Sequence, residues 1–322
     1  MKKKSILILG GFSFLGIALV CTFLKKPEWD IFIIDKVNEG ENLPFFIGNK
    51  RITYFESAIM DIESIPNILD RAFDVVANCI DIFKESDIKK IEGYPFFIKD
   101  INEEDKVIEK EIEILNKVLW INKKINLNNN IFFIPYSGRV RDVIINKINN
   151  TFKLSKTTII MLPILFGVYD NILNLLPYLM INFIMKSNVM INLCIDKKYE
   201  WIYIEDAILQ IREIISKSYL GVYSIKGDLY SIKEINELII GLLDINLKIE
   251  LEGKIDIQEN KSNFYPNKYD VKVFQYQRFE SIRERLVQTY EFLEDNRMFY
   301  NHILNQIEEG NNVNRGAVKK IN

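Results

Sequence analysis

The feature that most constrains the fold of this chain is its opening stretch, where an apolar run leads directly into a cluster of glycines. Residues 4–16 read Lys-Ser-Ile-Leu-Ile-Leu-Gly-Gly-Phe-Ser-Phe-Leu-Gly, with serine where the middle glycine of a Gly-x-x-Gly-x-x-Gly pattern is expected. The run Ile6–Leu9 is typical of a strand covered on both faces. Glycines at a strand-to-helix turn let the backbone approach a pyrophosphate, and the helix start offers free N–H groups to the anion. The candidate cofactor-binding residues are Gly10, Ser13, Phe14, Leu15 and Gly16.

The same N-terminal region also has features of a secretory signal or a membrane anchor. Met1 is followed by three lysines at residues 2–4, and a nearly uncharged run extends from there to Leu24. No small-residue cleavage site follows this run, and the residues before Cys21 do not form a lipoprotein box. We therefore expect nucleotide binding and no membrane association.

An acidic residue lies where a dinucleotide-binding unit needs one. A second apolar run, Ile31–Ile34, ends in Asp35, about 20 residues beyond the last glycine. A carboxylate at this position takes a ribose hydroxyl and repels the 2′-phosphate of NADP, so we expect NAD. Lys36 and Cys79 are further candidate cofactor-binding residues, since Cys79 ends another predicted strand and ligands bind outside the carboxyl ends of parallel strands.

Apolar runs alternate with helical patterns through the first half of the chain, which predicts a Rossmann-type α/β fold with a doubly wound parallel sheet. We predict a dinucleotide-binding Rossmann domain over 1–165, to which elements near 200–230 return. A smaller substrate-binding cap is predicted for 166–310 and a disordered tail for 311–322. The predicted strands are 6–9, 31–34, 51–55, 73–79, 131–134, 157–162, 202–206 and 222–225, and the predicted helices are 14–25, 62–71, 103–124, 140–150, 172–186, one capped by Ser231 and Glu234, and 281–308.

Composition excludes several classes of protein. The 322 residues carry a net charge of −2, which provides no basic surface for nucleic acid. The three cysteines lie far apart in apolar runs, so we expect a reducing, cytoplasmic location. With His302 as the only histidine, neither a His-Cys zinc site nor a Ser-His-Asp triad can be assembled, and we expect no metal.

Three motifs in order resemble those of the extended short-chain dehydrogenase/reductase family, the NAD-dependent epimerases and dehydratases. Residues 9–16 resemble its T-G-G-x-G-F-I-G, residues 199–206 its R-D-F-I-H-V-D-D, and residues 221–225 with 231–235 its Y-N-I-G and S-L-x-E-L patterns. The resemblance covers roughly 6–293. It implies a nucleotide-sugar substrate, hydride transfer through NAD, and a homodimer formed through the helix at 103–124.

The chain departs from this family at the catalytic residues. The family's Tyr-x-x-x-Lys pair is not found after the strand at 131–134. If the following helix is aligned, Ser137 and Arg141 take the two positions. If the strand is aligned, which we prefer, Ser137 matches the family's catalytic serine and the pair is deleted. Tyr136 is a second candidate, since Arg139 and Arg141 are close enough in sequence to lower its pKa.

These departures leave two interpretations of function. In the first, the chain is an oxidoreductase or isomerase that acts on a nucleotide sugar with atypical catalytic residues, Ser137 or Tyr136. In the alternative, it is a catalytically inactive NAD-binding protein that works as a sensor or partner.

Overall fold

The computed structural model describes residues 3–36, 46–80, 101–125, 129–135, 140–152, 157–170, 174–184, 196, 198–243, 271–274 and 281–298. The strands are β1 (Lys4–Leu9), β2 (Trp29–Asp35), β3 (Ile52–Glu56), β4 (Val75–Asn78), β5 (Asn130–Pro135), β6 (Thr157–Leu162), β7 (Ile164–Phe166), β8 (Lys198–Tyr203), β9 (Gly221–Ile225), β10 (Asp228–Ser231) and β11 (Val271–Phe274). The helices are α1 (Phe14–Leu24), α2 (Ile101–Lys124), α3 (Val140–Phe152), α4 (Leu175–Ile184), α5 (Ile204–Ser216), α6 (Ile232–Leu243) and α7 (Ile282–Asp295), and a 3-10 helix spans Ile59–Ser64.

Eight strands form one sheet in the order β11-β9-β6-β5-β4-β1-β2-β3, and every pairing between neighbours is parallel. The chain winds outward from β1 to β3 on one side and from β4 to β11 on the other. The direction of winding reverses between β1 and β4, and ligands of such sheets bind outside the carboxyl ends of the strands at this point. The predicted α/β fold of the Rossmann type is confirmed. A second sheet has the order β10-β8-β7.

The position of β1 at the centre of the sheet follows from its sequence. Ile6, Leu7, Ile8 and Leu9 are all fully buried, because α1 and α5 cover one face of the sheet and α2 and α3 the other. Burying each such side chain contributes about 1.5–3 kcal/mol, so a strand that is apolar on both faces belongs inside the sheet.

The helix predicted for residues 62–71 is wrong. The structure has the short 3-10 helix Ile59–Ser64, and Ile65 is extended with φ −83° and ψ 113°. Pro66 follows Ile65, and a proline lacks an N–H donor and disfavours helical geometry in the residue before it. The proline therefore accounts for the end of the 3-10 helix at Ser64, and residues 65–70 form turns and bends.

The strand predicted for residues 202–206 ends earlier, at Tyr203, and its last three residues begin α5. Tyr203 is extended, with φ −69° and ψ 140°, and Glu205 and Asp206 lie in the first turn of the helix. Acidic side chains near a helix N-terminus interact favourably with its dipole, which explains this boundary.

The N-terminal region forms β1, a turn and the 11-residue α1, in agreement with the predicted nucleotide-binding unit. In the part of the chain that the structure describes, no helix has both the length and the hydropathy needed to cross a membrane.

The chain divides into two compact units. The first comprises Met1–Leu165, Tyr199–Leu229 and Ile257–Arg278, and contains the eight-stranded sheet. The second comprises Phe166–Lys198, Tyr230–Asp256 and Phe279–Asn322, and its described helices are α4, α6 and α7. The roles predicted for a Rossmann domain and a substrate-binding cap stay predictions, as does the disordered tail at 311–322, which lies outside the described residues.

Candidate functional site

The turn between β1 and α1 lies at the reversal point of the sheet and is held against the neighbouring strands. The Gly10 N–H donates to the Ile34 carbonyl oxygen at 2.9 Å, and the Cys79 N–H donates to the Leu9 carbonyl oxygen at 2.8 Å. Gly10 has φ +77°, and a Cβ there would lie 2.7 Å from Ile80 Cα. Both the backbone conformation and the space require glycine.

Gly16 is required by the packing of α1 on this turn. A Cβ on Gly16 would lie 2.2 Å from the Gly10 carbonyl oxygen, far inside van der Waals contact. The first turn of α1 therefore packs directly on the backbone of the glycine turn, which brings the helix N-terminus to the carboxyl end of β1.

Ser13 is the N-cap of α1. Its Oγ accepts a hydrogen bond from the Gly16 N–H at 3.1 Å and lies 2.7 Å from the Cys79 carbonyl oxygen and 2.8 Å from the Gly10 carbonyl oxygen. Ser13 is 6% exposed, so its side chain is turned into the protein. The outer side of the turn at this position is formed by backbone, as it would be for glycine.

The first backbone amides of α1 are available to a ligand. Among the described residues, nothing accepts a hydrogen bond from the N–H groups of Phe14 and Leu15, and neither can have a partner inside the helix. The positive end of the helix dipole lies at the same place. Two amides, a close-packed glycine turn and the dipole together fit the diphosphate of a dinucleotide.

Asp35 ends β2 beside the glycine turn, and both of its carboxylate oxygens accept backbone hydrogen bonds. Oδ2 accepts from the Phe12 N–H at 2.7 Å and Oδ1 from the Lys36 N–H at 2.8 Å. Each carboxylate oxygen has more than one acceptor position, so this half-buried carboxylate can also accept from a ribose hydroxyl. The Lys36 residue is exposed beside it.

Two ionisable groups near Asp35 are held in their neutral forms. Burial raises the pKa of the Cys79 thiol well above its ordinary value, and the negative charge of Asp35 raises it further. Burial, with the charges of Glu56 and Asp35, raises the pKa of Tyr54 to about 12. At neutral pH Cys79 is therefore a thiol and not a thiolate nucleophile, and Tyr54 is a phenol.

An aromatic cluster of Phe12, Phe46 and Tyr54 lies beside Asp35 and has no counterpart in the predictions. The Phe12 ring centroid is 4.9 Å from that of Tyr54 and 6.3 Å from that of Phe46. The Tyr54 hydroxyl lies 3.4 Å from the Asp35 carbonyl oxygen. Only Tyr54 belongs to a predicted strand, and Phe46 lies in a stretch where the sequence predicts no element, so the cluster follows from tertiary packing alone.

The structure thus brings the described candidate cofactor-binding residues together at the carboxyl ends of β1, β2 and β4. These residues are Gly10, Ser13, Phe14, Leu15, Gly16, Asp35, Lys36 and Cys79.

The side chain of Asn78, at the end of β4, hydrogen-bonds within the protein and not toward this cleft. Its Nδ2 donates to the Ile131 carbonyl oxygen at 2.7 Å and its Oδ1 accepts from Asn122 at 3.0 Å, which links β4 to β5 and α2.

The two candidate catalytic residues, Tyr136 and Ser137, lie outside the described residues, as does Arg139. Strand β5 ends at Pro135, immediately before them. Their roles stay predictions. No cluster of histidine, cysteine and acidic side chains suited to a metal ion is found within the described ranges.

The solved structures similar to this one include epimerases and dehydratases. An epimerase from Methanothermobacter thermautotrophicus matches with a TM-score of 0.70 at 13% identity, over 94% of this chain and 95% of its own. A dTDP-glucose 4,6-dehydratase from Streptomyces venezuelae, solved with NAD bound, matches with a TM-score of 0.69 at 14% identity, over 92% and 98%. A UDP-glucuronic acid 4-epimerase from Bacillus cereus, in complex with UDP-glucuronic acid and NAD, matches with a TM-score of 0.66 at 14% identity, over 90% and 99%.

At these identities the similarity shows a shared fold, and it extends over nearly the whole of each chain. The resemblance to epimerases and dehydratases that the motifs predicted is confirmed at the level of the fold. No protein-family model matches the chain, and no curated protein matches it.

Proposed function

We propose that this chain binds NAD through the β1–α1 turn and acts on a nucleotide sugar. The observation that carries the proposal is the turn itself. The free amides of Phe14 and Leu15 and the carboxylate of Asp35 stand together at the reversal point of a sheet, in a fold shared with epimerases and dehydratases solved with NAD. This arrangement supports a diphosphate on the helix N-terminus and an adenosine ribose on Asp35.

The preference for NAD over NADP rests on the charge of Asp35. We expect NADH to bind at least about tenfold more tightly than NADPH, because the carboxylate would repel a 2′-phosphate. Fluorescence titration of the purified protein with both cofactors measures this ratio. Asp35→Ala should weaken NADH binding and reduce the difference in affinity between NADH and NADPH.

A matched control for this substitution is Asp30→Ala. Asp30 lies at the amino end of the same strand, where it forms an ion pair with Lys3 at 2.9 Å. Its replacement should therefore leave cofactor binding unchanged. Undetectable NADH binding at millimolar concentration would exclude the proposed function. An equal loss of NADH affinity in the two variants would exclude the proposed role of Asp35 in cofactor binding.

For the chemistry, bound NAD supplies a nicotinamide C4 that can hold a hydride from a sugar carbon. The chain must supply a base for the proton of the oxidised hydroxyl, and we propose Tyr136 in its phenolate form for this role. The Ser137 hydroxyl would donate a hydrogen bond to the sugar, and both residues directly follow β5. Conversion of a panel of UDP- and dTDP-sugars, followed by NMR and mass spectrometry, identifies the reaction. Tyr136→Phe should reduce turnover by about 10²- to 10⁴-fold if Tyr136 is the base, and Ser137→Ala should also reduce turnover if its hydroxyl positions the sugar. Binding of NADH with no conversion of any sugar would favour the non-catalytic alternative.

The second unit, Phe166–Lys198 with Tyr230–Asp256 and Phe279–Asn322, is our proposed substrate-binding cap.

We also propose a cytoplasmic homodimer, on the basis of the cysteine usage and of the family that the motifs resemble. Sedimentation equilibrium should give twice the chain mass of 37.9 kDa. A mass equal to one chain at micromolar concentration would exclude the dimer.

A further inference from the structure

We infer that Ser13 is a positioning residue that clamps the glycine turn to β4 and so prepares the site for a diphosphate. The inference rests on the proposed cofactor binding and assigns a purpose to the residue at which the glycine motif is interrupted. On the motif alone the serine is a defect. The geometry around its hydroxyl indicates instead that the serine positions the turn.

The hydroxyl has one proton and two nearby carbonyl acceptors, and the surrounding bonds decide between them. The Gly10 carbonyl oxygen already accepts from the Ser13 N–H at 3.1 Å. Oγ lies 2.7 Å from the Cys79 carbonyl oxygen and 2.8 Å from the Gly10 carbonyl oxygen, so both are within hydrogen-bond distance and the existing Ser13 N–H bond to Gly10 decides between them. We therefore place the proton on the bond to Cys79, which joins the turn after β1 to the end of β4.

The oxygen of the same hydroxyl is used on its other side. It accepts from the Gly16 N–H at 3.1 Å, which satisfies one of the unpaired amides of the first turn of α1. One side chain thus connects β4 to the helix N-terminus, while the amides of Phe14 and Leu15 stay available. On the opposite side of the turn, Asp35 holds the Phe12 N–H at 2.7 Å. The turn is fastened to both of the strands that border the cleft.

A glycine at position 13 would keep the backbone path and lose the bond to β4. A turn that is already held in the binding geometry does not have to be ordered when the ligand arrives, so its loss should weaken binding. A buried hydrogen bond contributes about 0.5–1.5 kcal/mol, which corresponds to about 2- to 12-fold in affinity. Replacing a serine N-cap by glycine costs only a few tenths of a kcal/mol, so most of the effect should come from the bond to Cys79.

The test is the variant Ser13→Gly, which restores the expected glycine pattern. We expect the dissociation constants for NADH and for ADP to rise by about 2- to 12-fold. ADP shares the adenosine and the diphosphate with NADH and lacks the nicotinamide half, so an equal loss for both ligands places the defect in the shared ADP part. The matched control is Ser281→Gly, which removes the serine N-cap of α7 in the second unit.

Urea denaturation of the ligand-free variants separates positioning from general stability. A purely structural role would lower the unfolding free energy of Ser13→Gly and leave ligand affinity, measured far below the unfolding transition, equal to that of Ser281→Gly. That result would overturn the inference. So would unchanged or tighter binding of the ligands by Ser13→Gly, or a loss of affinity for NADH without a loss of affinity for ADP. Failure of the wild-type protein to bind either ligand would instead overturn the proposed function.

Discussion

Two threonines that follow one another on β6 show how differently adjacent side chains can be satisfied. Both are fully buried. The Thr158 hydroxyl donates to the Tyr219 carbonyl oxygen at 2.5 Å and lies 3.3 Å from Asn129 Oδ1. The Thr157 hydroxyl, on the other face of the sheet, has no hydrogen-bond partner among the described residues. An unpaired buried hydroxyl costs free energy, whereas a paired one does not.

We therefore expect Thr157→Val to raise the unfolding free energy by up to about 1 kcal/mol, and Thr158→Val to lower it by about 1–2 kcal/mol. Valine keeps the branched shape that suits a strand, so each change mainly removes the hydroxyl. Urea denaturation at neutral pH measures both. Equal destabilisation by the two variants would show that the Thr157 hydroxyl is satisfied after all.

Tyr54 predicts a pH dependence at the alkaline end. Its pKa is raised to about 12 by burial and by the charges of Glu56 and Asp35, from an ordinary value of 10.0. In the unfolded chain the phenol ionises first, so the stability that the neutral phenol contributes is complete below pH 10 and is lost as the pH rises toward 12. Tyr54→Phe should flatten the fall in unfolding free energy across this range. An unchanged slope would contradict the shift.

At the scale of elements, both ends of α1 are held by side-chain hydrogen bonds, one from its own N-cap and one from a distant residue. Ser13 caps its start. Near its end the Arg51 guanidinium donates to the carbonyl oxygens of Leu24 and, at 2.8 Å, Lys26. A cation at a helix C-terminus satisfies unpaired carbonyls and interacts favourably with the dipole. The helix whose N-terminus forms the proposed diphosphate site is therefore held at both ends.

The cap predicted for α6 is confirmed and has an electrostatic consequence. The Glu234 N–H donates to Ser231 Oγ at 3.1 Å, and the Ser231 N–H donates to Glu234 Oε2 at 2.7 Å. The Ser231 N–H, together with Lys198 at 3.1 Å, lowers the pKa of Glu234 below its ordinary value of 4.5. A carboxyl group with a lowered pKa adds stability above its unfolded value, and this stability is lost as the pH falls through the folded value.

We expect Glu234→Gln to destabilise the protein at pH 7 and to have a smaller effect as the pH falls below 4.5. Ser231→Ala removes the other half of the same box and should cost about 1 kcal/mol at pH 7. Urea denaturation over a pH series compares the two. A destabilisation by Glu234→Gln that is the same at every pH would mean that the charge has no part in the cap.

At the scale of the whole molecule, the two units predict an uneven response to cofactor. Because the glycine turn and Asp35 belong to the first unit, NADH should slow amide hydrogen exchange chiefly in β1, α1 and the end of β2. At an NADH concentration of 100 times the dissociation constant, bound NADH can raise the free energy of opening by at most about 2.7 kcal/mol. Protection concentrated in α6 and α7 would place the cofactor elsewhere. The same experiment on Asp35→Ala, at a concentration that saturates the wild type, should show reduced protection.

How much of the protein is predictable from sequence depends on the range of the interactions. The strand at Ile6–Leu9, the glycine turn and Asp35 were predictable because strand burial, turn geometry and the spacing of a βαβ unit are local or nearly local properties. The 3-10 helix at Ile59–Ser64 was not, because the effect of Pro66 outweighed an apolar pattern that suits a helix.

The sequence by itself determined the parallel α/β fold and the glycine turn at which we propose that a dinucleotide binds, since these follow from residue type and periodicity along the chain. Only the tertiary structure decided what Ser13 does, because its hydroxyl meets Cys79 across 66 positions of sequence. It likewise decided that Asp35 holds the Phe12 amide and that Cys79 stays a neutral thiol. Hydrogen bonds and charges between strands depend on distances that no local pattern specifies.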